Sequence, residues 1–223
     1  MREDTEFWAT QVRGTIQVPP LSEAVQTTRT TFVSLPVEEL VLHLLFVCTG
    51  NICRSPIAER LAVAFGNEMG FSHLKASSAG TRAVIDRPMQ VAASDVLASL
   101  GADSSGFVAR QLTRRIADGS DLVLTMTKVQ RDRVLELAPN RMRTIFSLDE
   151  AAQLASNFDV INVAGLADVR PLLPAAEVTD IPDPIGQDYD FFASVGSMIA
   201  DRLPPVLRLC AAEYAQSADG ETK

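Results

Sequence analysis

The chain has 223 residues, an apolar content of 47% and a formal net charge of −8 at pH 7. Its length and apolar content predict a substantial folded domain with a full hydrophobic core and exclude a mainly disordered chain. The acidic balance argues against nucleic acid or an anionic membrane surface as a partner. Three cysteines are too few for a disulfide framework, so we expect a reduced, cytoplasmic protein.

Residues 1–40 contain the weakest structural signals of the chain. Their acidic start is not followed by an apolar run, which argues against a secretory signal, and no run in the chain approaches the length of a membrane-spanning helix. Pro19, Pro20 and a threonine-rich stretch are typical of a linker or a loosely paired strand. We favour a solvated N-terminal extension, with a dimerisation or pocket-covering arm anchored by Trp8 as the alternative.

Residues 41–215 form the predicted domain, in which strand and helix patterns alternate. The predicted strands cover residues 43–48, 74–78, 121–126 and 143–147. The predicted helices cover residues 55–69, 88–100, 111–116, 127–137 and 189–212, with a helical turn at 149–154. This alternation predicts an α/β fold with a doubly wound parallel sheet. The first strand shows no alternation of apolar and polar residues from Leu44 to Cys48, as expected for a strand buried on both faces.

The last third of the predicted domain is less regular. A long connection over residues 156–180 has room for an additional strand at 160–163. Two consecutive prolines, Pro204 and Pro205, should kink or break the last helix, because each lacks a backbone N–H group. Residues 216–223 are expected to form a polar C-terminal tail.

A cysteine ends the first predicted strand and a loop with unusual chemistry follows it. Cys48 is followed by the loop residues Thr49, Gly50, Asn51, Ile52, Cys53, Arg54 and Ser55 and then by a helix. Such a loop can direct its N–H groups towards one point, where the helix N-terminus adds further donors for an anion. The Arg54 guanidinium matches two oxygens of a phosphate, and the same donors favour a thiolate at Cys48. We therefore predict a phosphate-binding loop, whereas Cys48 taken alone would be a buried apolar residue.

The segment from Val47 to Glu59 resembles the low molecular weight protein tyrosine phosphatases, whose signature is a cysteine, five residues and an arginine. Weaker matches at 78–81, 121–126 and Asp183-Pro184 extend the resemblance over about residues 42–212. The resemblance implies a four-stranded parallel sheet in the order 2-1-3-4, flanked by helices, with the phosphate loop after strand one. We expect no cofactor and no metal, since two loop cysteines without further Cys or His nearby cannot complete a zinc site.

The resemblance assigns roles to the catalytic candidates. Cys48 would attack phosphorus and form a phosphocysteine, while Arg54 and the loop N–H groups stabilise the transferring phosphoryl group. Asp183, which lies between two prolines, would protonate the leaving phenolate and then activate water, so a bell-shaped pH dependence of turnover is expected. Ser55 has two possible roles, a hydrogen bond to the sulfur and a helix cap.

We also expect roles for three further residues of this loop. Gly50 lets the backbone approach a ligand closely. Asn51 suits a left-handed turn, and the resemblance implies that its side chain braces the loop. The resemblance also implies that Cys53 is the redox partner of Cys48 in a reversible disulfide, the alternative being a packed thiol.

The chain departs from the family pattern at the walls of the substrate pocket. Family members often have aromatic residues where this chain has residues 82–85 and Ile185-Gly186, which weakens the expected grip on an aromatic ring. The expected substrate is a phosphotyrosine protein or a small aryl phosphate, and the expected assembly is a monomer or weak dimer. Two alternative functions remain. The first is an arsenate reductase, which would depend on an external thiol because Cys210 is the only cysteine outside the pair Cys48 and Cys53. The second is a phosphate-binding module without turnover.

Overall fold

The computed structural model of the protein describes residues 41–220. The interpretations of residues 1–40, including those of Trp8, Pro19 and Pro20, lie outside the described residues. So does the end of the predicted C-terminal tail, residues 221–223.

The centre of the fold is a four-stranded parallel sheet, which confirms the predicted class. Its strands are β1 (Leu42–Cys48), β2 (Leu74–Gly80), β3 (Leu122–Thr125) and β4 (Ile145–Ser147). Their spatial order is β2-β1-β3-β4, the order that the resemblance implied. Strand β1 lies between two neighbours and pairs in register from Leu42 with Leu74 to Cys48 with Gly80.

Seven α-helices are described between residues 41 and 220. They are α1 (Arg54–Glu68), α2 (Val91–Ser99), α3 (Arg114–Asp118), α4 (Lys128–Leu137), α5 (Leu148–Asn157), α6 (Val163–Val169) and α7 (Tyr189–Gly220). Their starts follow from side-chain caps: Thr127 caps α4 in a capping box with Gln130, and Ser147 caps α5 in a capping box with Glu150. The cap at Thr127 was predicted, whereas α5 is a full helix where only a turn was expected.

Alternate residues of β1 face two different cores, because helices cover both faces of the sheet. Leu44 and Phe46 belong to the larger core, formed with residues of α1, α2, α5 and α7. Leu45 and Val47 belong to a smaller core formed with residues of α3 and α4. All four side chains are fully buried, which explains why the sequence of this strand shows no alternation.

The strand predicted at 160–163 is wrong. Residues 163–169 form α6 instead, because Asn162 caps this helix by accepting a hydrogen bond from the N–H of Gly165 at 2.8 Å. The N–H of Val163 donates to Glu213 Oε2 of α7 at 2.9 Å. In a strand the N–H of Val163 would donate to a neighbouring strand, whereas here it donates to a side chain.

Of the kink or break predicted at Pro204 and Pro205, the break is wrong, since α7 is helical from Tyr189 to Gly220 without interruption. The neighbouring residues Leu203, Val206 and Leu207 are fully buried in the larger core. Packing of this apolar face supplies most of the stability of a helix and outweighs two missing backbone hydrogen bonds. The same helix includes the first five residues of the predicted tail, 216–220. Of the described helices, none combines the length and apolar character that crossing a membrane requires.

A close contact between α2 and α7 yields a test of this packing. A Cβ atom at Gly196 would overlap Val96 Cγ1 and lie 3.3 Å from Leu100 Cδ1. Val96 is 1% exposed and cannot move aside. We therefore expect Gly196→Ala to lower the free energy of unfolding by about 1–3 kcal/mol, despite the better helix propensity of alanine.

Urea unfolding monitored by circular dichroism measures this change. In a Val96→Ala background the overlapping methyl groups are absent, so the added Cβ should then cost much less. Equal costs in the two backgrounds would show that the contact does not limit the packing of α7.

Candidate active site

The backbone of the loop after β1 is held from outside. The carbonyl groups of Thr49 and Gly50 each accept a hydrogen bond of 2.9 Å, from the N–H groups of Arg82 and Val84. A trans peptide group points its N–H opposite to its carbonyl. The N–H groups that follow these carbonyls, one of which belongs to Asn51, therefore point to the other side of the loop, as an anion-binding loop requires.

The sulfur of Cys48 lies on that inner side and accepts two hydrogen bonds. The N–H of Asn51 donates to Cys48 Sγ at 3.2 Å, and the Ser55 hydroxyl donates at 3.0 Å. Helix α1 begins at Arg54, and its N-cap position is Cys53. Of the two roles considered for Ser55, the structure therefore shows the bond to sulfur. The sulfur is thus contacted by one backbone donor and one side-chain donor of the same loop.

Asn51 fixes the direction of these donors. Its backbone is left-handed, with φ of 57°. Its side-chain Oδ1 accepts from the N–H of Arg110 at 2.8 Å, which orients the amide, and its Nδ2 donates to Ser55 Oγ at 3.0 Å and Ser78 Oγ at 2.8 Å. Since Ser55 Oγ already accepts a hydrogen from Asn51, its own hydrogen is free to bind Cys48. The bracing role expected of Asn51 corresponds to these contacts.

The network continues to a carboxyl group that the sequence analysis missed. The Ser78 hydroxyl donates to Glu59 Oε2 at 2.6 Å, and Arg110 Nε donates to the Ser78 carbonyl at 2.8 Å. Burial raises the pKa of Glu59, although the Ser78 hydrogen bond partly opposes this effect. Glu59 follows Ser55 by four residues on α1, and this helical spacing was the available signal for its place on the same face.

Arg54 lies almost fully buried beside the loop, with 4% of its surface exposed. Its Nη1 donates to the Ile181 carbonyl at 3.0 Å and its Nη2 to Asp183 Oδ2 at 2.6 Å. Its Nε is buried and has no hydrogen-bond partner among the described residues. A buried donor without a partner is costly, so an oxyanion in the loop would gain a charged hydrogen bond there.

Asp183 reaches the site from the segment that precedes α7. The segment is fixed at Ile181, whose N–H donates to the Met126 carbonyl at 2.8 Å, and at Asp180, whose Oδ1 accepts from the N–H of Lys128 at 2.8 Å. The Asp183 side chain is 51% exposed. The structure thus brings Asp183 to the arginine of a loop that is distant in sequence, with one face of its carboxylate open to solvent.

The three cysteines are free thiols in different surroundings. Burial, with a smaller contribution from Cys48, raises the pKa of Cys53 to about 12. Cys53 is therefore a neutral thiol near pH 7, and Cys48, with its two donors, is the better candidate nucleophile. Burial also raises the pKa of Cys210, which is fully buried in α7.

Glycine is required at Gly80, within the segment 78–81 that weakly matches the family. A Cβ atom at Gly80 would lie 2.6 Å from the Thr49 carbonyl oxygen and 2.9 Å from Ala83 Cα. At Gly50 a Cβ atom would make only ordinary contacts, 3.5 Å or more from its neighbours. The close backbone approach therefore occurs between the end of β2 and the phosphate loop.

A cavity of about 350 Å³ unites the predicted residues. Its wall includes Cys48, Arg54 and Asp183, five further residues of or beside the loop (Thr49, Gly50, Ile52, Cys53 and Arg82), and the aliphatic side chains of Val84 and Ile185. Asn51 and Ser55 lie behind this wall and are fully buried. Within residues 41–220, no group of three or more His, Cys, Asp or Glu side chains is arranged to hold a metal ion.

Comparisons with known proteins agree with this geometry. The family model for low molecular weight phosphotyrosine protein phosphatases matches residues 43–162. The low molecular weight protein-tyrosine-phosphatase Wzb of Escherichia coli K12 is 41% identical over 97 residues, which cover 44% of this chain and 63% of Wzb. The match thus spans less than two thirds of that relative.

Two solved structures share the fold. The low molecular weight protein tyrosine phosphatase of T. tengcongensis superposes with a TM-score of 0.62 at 26% identity, over 75% of this chain and 98% of that one. The YwlE arginine phosphatase of Geobacillus stearothermophilus superposes with a TM-score of 0.59 at 25% identity, over 82% and 97% of the two chains.

The raised pKa of Glu59 predicts a pH dependence of stability. The folded state favours the neutral carboxyl group, so the wild type loses stability as pH rises from the ordinary glutamate pKa, about 4.3, through the raised value. Glu59→Gln keeps an oxygen acceptor for Ser78 and cannot ionise. We expect this variant to gain stability relative to the wild type as pH rises above the ordinary glutamate pKa, as measured by urea unfolding.

Glu68→Gln, which removes one negative charge at the exposed end of the same helix, is the matched control. A stability difference between Glu59→Gln and the wild type that is constant with pH would contradict the role of burial at Glu59.

Proposed function

Because the chain belongs to the low molecular weight phosphotyrosine protein phosphatase family, we propose that it hydrolyses aryl phosphate monoesters, with phosphotyrosine in proteins as its substrate class. The observation that supports this most directly is the cavity itself, in which Cys48, Arg54 and Asp183 share one wall. A nucleophile, a buried cation and a carboxyl group within one small cavity are the parts that phosphoryl transfer through a covalent intermediate needs.

In the first step, the Cys48 thiolate attacks phosphorus. A sulfur–phosphorus bond forms while the bond to the phenolic oxygen breaks, and Asp183 gives its proton to the departing oxygen. The loop N–H groups and the Arg54 guanidinium bind the equatorial oxygens, where charge is spread in the transition state. The Arg54 Nε, which has no partner among the described residues, is available for one of these oxygens.

In the second step, water attacks the phosphocysteine. Asp183, now ionised, takes a proton from this water, and its half-exposed position lets water reach it. The sulfur leaves as a thiolate, which the hydroxyl of Ser55 and the N–H of Asn51 stabilise by hydrogen bonds. The same two donors therefore favour the nucleophile before attack and the leaving group after it.

The cavity mouth favours a neutral ring. Val84 and Ile185 are 44% and 51% exposed there and offer aliphatic contacts where the family often has aromatic walls. The Arg82 side chain in the same wall would repel a cationic group. Although the fold is shared with an arginine phosphatase, a guanidinium next to Arg82 is less favourable than a phenyl ring, so we assign phosphotyrosine.

The structure gives little support to arsenate reduction. A relay of oxidation to an exposed third cysteine has no candidate in this chain, because Cys210 is fully buried in α7. A phosphate-binding module without turnover would not need Asp183 beside Arg54. Arsenate-dependent oxidation of an added small thiol is the assay that would favour the reductase.

Substitution of the two reacting groups tests the mechanism. We expect Cys48→Ser to reduce hydrolysis of p-nitrophenyl phosphate by at least about a thousandfold, because a serine hydroxyl is a much weaker nucleophile near neutral pH. Asp183→Asn should reduce kcat by about 10²–10⁴-fold for phenyl phosphate, a poor leaving group, and by less for p-nitrophenyl phosphate.

Steady-state kinetics with both esters measures these effects. Asp190→Asn, an exposed carboxylate outside the cavity wall, is the control for loss of one negative charge. Vigorous turnover by Cys48→Ser would exclude the covalent mechanism.

The aliphatic mouth generates a separate prediction about substrate binding. Ile185→Ala removes apolar surface that would contact the ring, so KM for aryl phosphates should rise about three- to fivefold, corresponding to ~1 kcal/mol of lost burial. The inhibition constant of inorganic phosphate, which has no ring, should change little. Ile161→Ala, at an exposed position outside the cavity, is the matched control. Equal weakening of phosphate and aryl phosphate would place Ile185 in the oxyanion site rather than at the ring.

A further inference from the structure

A second cavity, of about 470 Å³, lies beside the catalytic one. The two cavities share Thr49 and Arg82 in their walls. We call this second cavity the flanking groove, and its remaining wall is formed by the segments that contain Thr81 and Gln111-Leu112 and by one face of α4. The flanking groove therefore adjoins the catalytic cavity at these two residues, next to a ligand bound there.

The α4 face that lines the groove has both apolar and cationic groups. Val129, Arg133 and Leu137 are spaced by four residues and share this face of the helix. Val129 is 68% exposed and Leu137 is 37% exposed, so part of their apolar surface is not covered by the described residues. The groove therefore offers apolar contacts on either side of one arginine.

The amide side chains of the groove wall are already used within the protein. Gln111 donates to the Thr81 carbonyl at 3.1 Å and accepts from the N–H of Ala83 at 3.0 Å. Gln130 donates to Thr49 Oγ1 at 3.0 Å and accepts two backbone N–H groups at 3.1 Å. Few polar groups of these amides are therefore free to bind a ligand. The remaining groups that could recognise a polar ligand are the two arginines.

The two arginines of the wall are available for an acidic ligand. The Arg82 guanidinium makes no ion pair or hydrogen bond with the part of the chain that the structure describes. Arg133 Nη1 pairs with Glu136 at 2.8 Å, but both side chains are about two thirds exposed, and such a pair contributes little. None of the wall residues is acidic, although the chain as a whole has a net charge of −8. The groove is thus a locally basic site on an acidic protein.

We propose that the flanking groove binds the polypeptide next to the phosphotyrosine, and that acidic side chains of this polypeptide pair with Arg82 and Arg133. Apolar side chains of the same segment would pack against Val129 and Leu137. The inference rests on the proposed phosphatase function and adds a sequence preference to it: phosphotyrosine sites with neighbouring glutamate or aspartate are the favoured substrates. The volume of the groove lies within the range of ordinary ligand sites.

Two phosphotyrosine peptides test the proposal. One has glutamate at the two positions on each side of the phosphotyrosine, and the other has glutamine at the same positions. The measured quantity is the ratio of kcat/KM for the glutamate peptide to that for the glutamine peptide, which cancels any general change in activity. For the wild type at low salt we expect a ratio of about 3–10, falling towards one at high salt, as for exposed charge pairs.

Substitutions then locate the preference. Arg82→Gln and Arg133→Gln should each lower the ratio about two- to threefold, and the double variant should bring it close to one. Val129→Glu, at an exposed position, should also lower the ratio by repelling the acidic peptide. Arg87→Gln, an exposed arginine outside both cavity walls, is the matched control and should leave the ratio unchanged.

The outcomes separate this inference from the function on which it rests. Wild-type protein that fails to hydrolyse p-nitrophenyl phosphate would overturn the proposed function. Wild-type protein that hydrolyses this ester but shows a peptide ratio of one would overturn the flanking-groove proposal alone. A ratio that stays high in the Arg82→Gln/Arg133→Gln variant would overturn the assignment of the preference to this groove.

Discussion

The direction of one hydroxyl hydrogen, from Ser55 to the sulfur of Cys48, depends on the side-chain amide of Asn51. Backbone donation from Arg110 fixes the oxygen end of this amide, so its nitrogen must face Ser55 and Ser78. Each hydroxyl then has one hydrogen left, which Ser55 gives to the sulfur and Ser78 gives to Glu59. Because these groups are largely buried, water cannot replace a missing partner, and the network holds one arrangement.

This network requires β1 and β2 to be neighbours, because Ser78 belongs to β2 whereas Asn51 follows β1. Gly80, at the end of β2, lets the chain pass close to the Thr49 carbonyl, and the next residues then hold the outer side of the phosphate loop. The parallel pairing of these two strands thus determines the loop conformation. The position of the site at the carboxyl edge of the sheet follows from the same pairing.

The sequence predicted the features whose signals are local. Cys48 and Arg54 belong to one short motif, and residues 44–48 of strand β1 form an uninterrupted apolar run. The contacts of Glu59 with Ser78 and of Arg110 with Asn51 were missed, because these partners lie 19 and 59 positions apart and meet only after the sheet has formed. The last helix was predicted, but with a kink or break at Pro204 and Pro205. Local propensity disfavours a helix there, and the burial of Leu203 and Val206 that keeps the helix unbroken is a tertiary effect.

The ion pair of Arg54 with Asp183 joins two groups of the proposed mechanism. The Arg54 side chain is 4% exposed and that of Asp183 is 51% exposed. Breaking the ion pair would therefore have a different free-energy cost for each partner. Asp183 would regain water, whereas Arg54 would be left as a buried charge with fewer partners, a state that is strongly unfavourable. The site is therefore most stable with an anion against Arg54 at all times. Asp183 Oδ2 supplies such a contact at 2.6 Å. In the proposed mechanism a phosphoryl group would take over this contact, and the Asp183 carboxyl group would then be released next to the leaving oxygen, where the mechanism needs a proton donor.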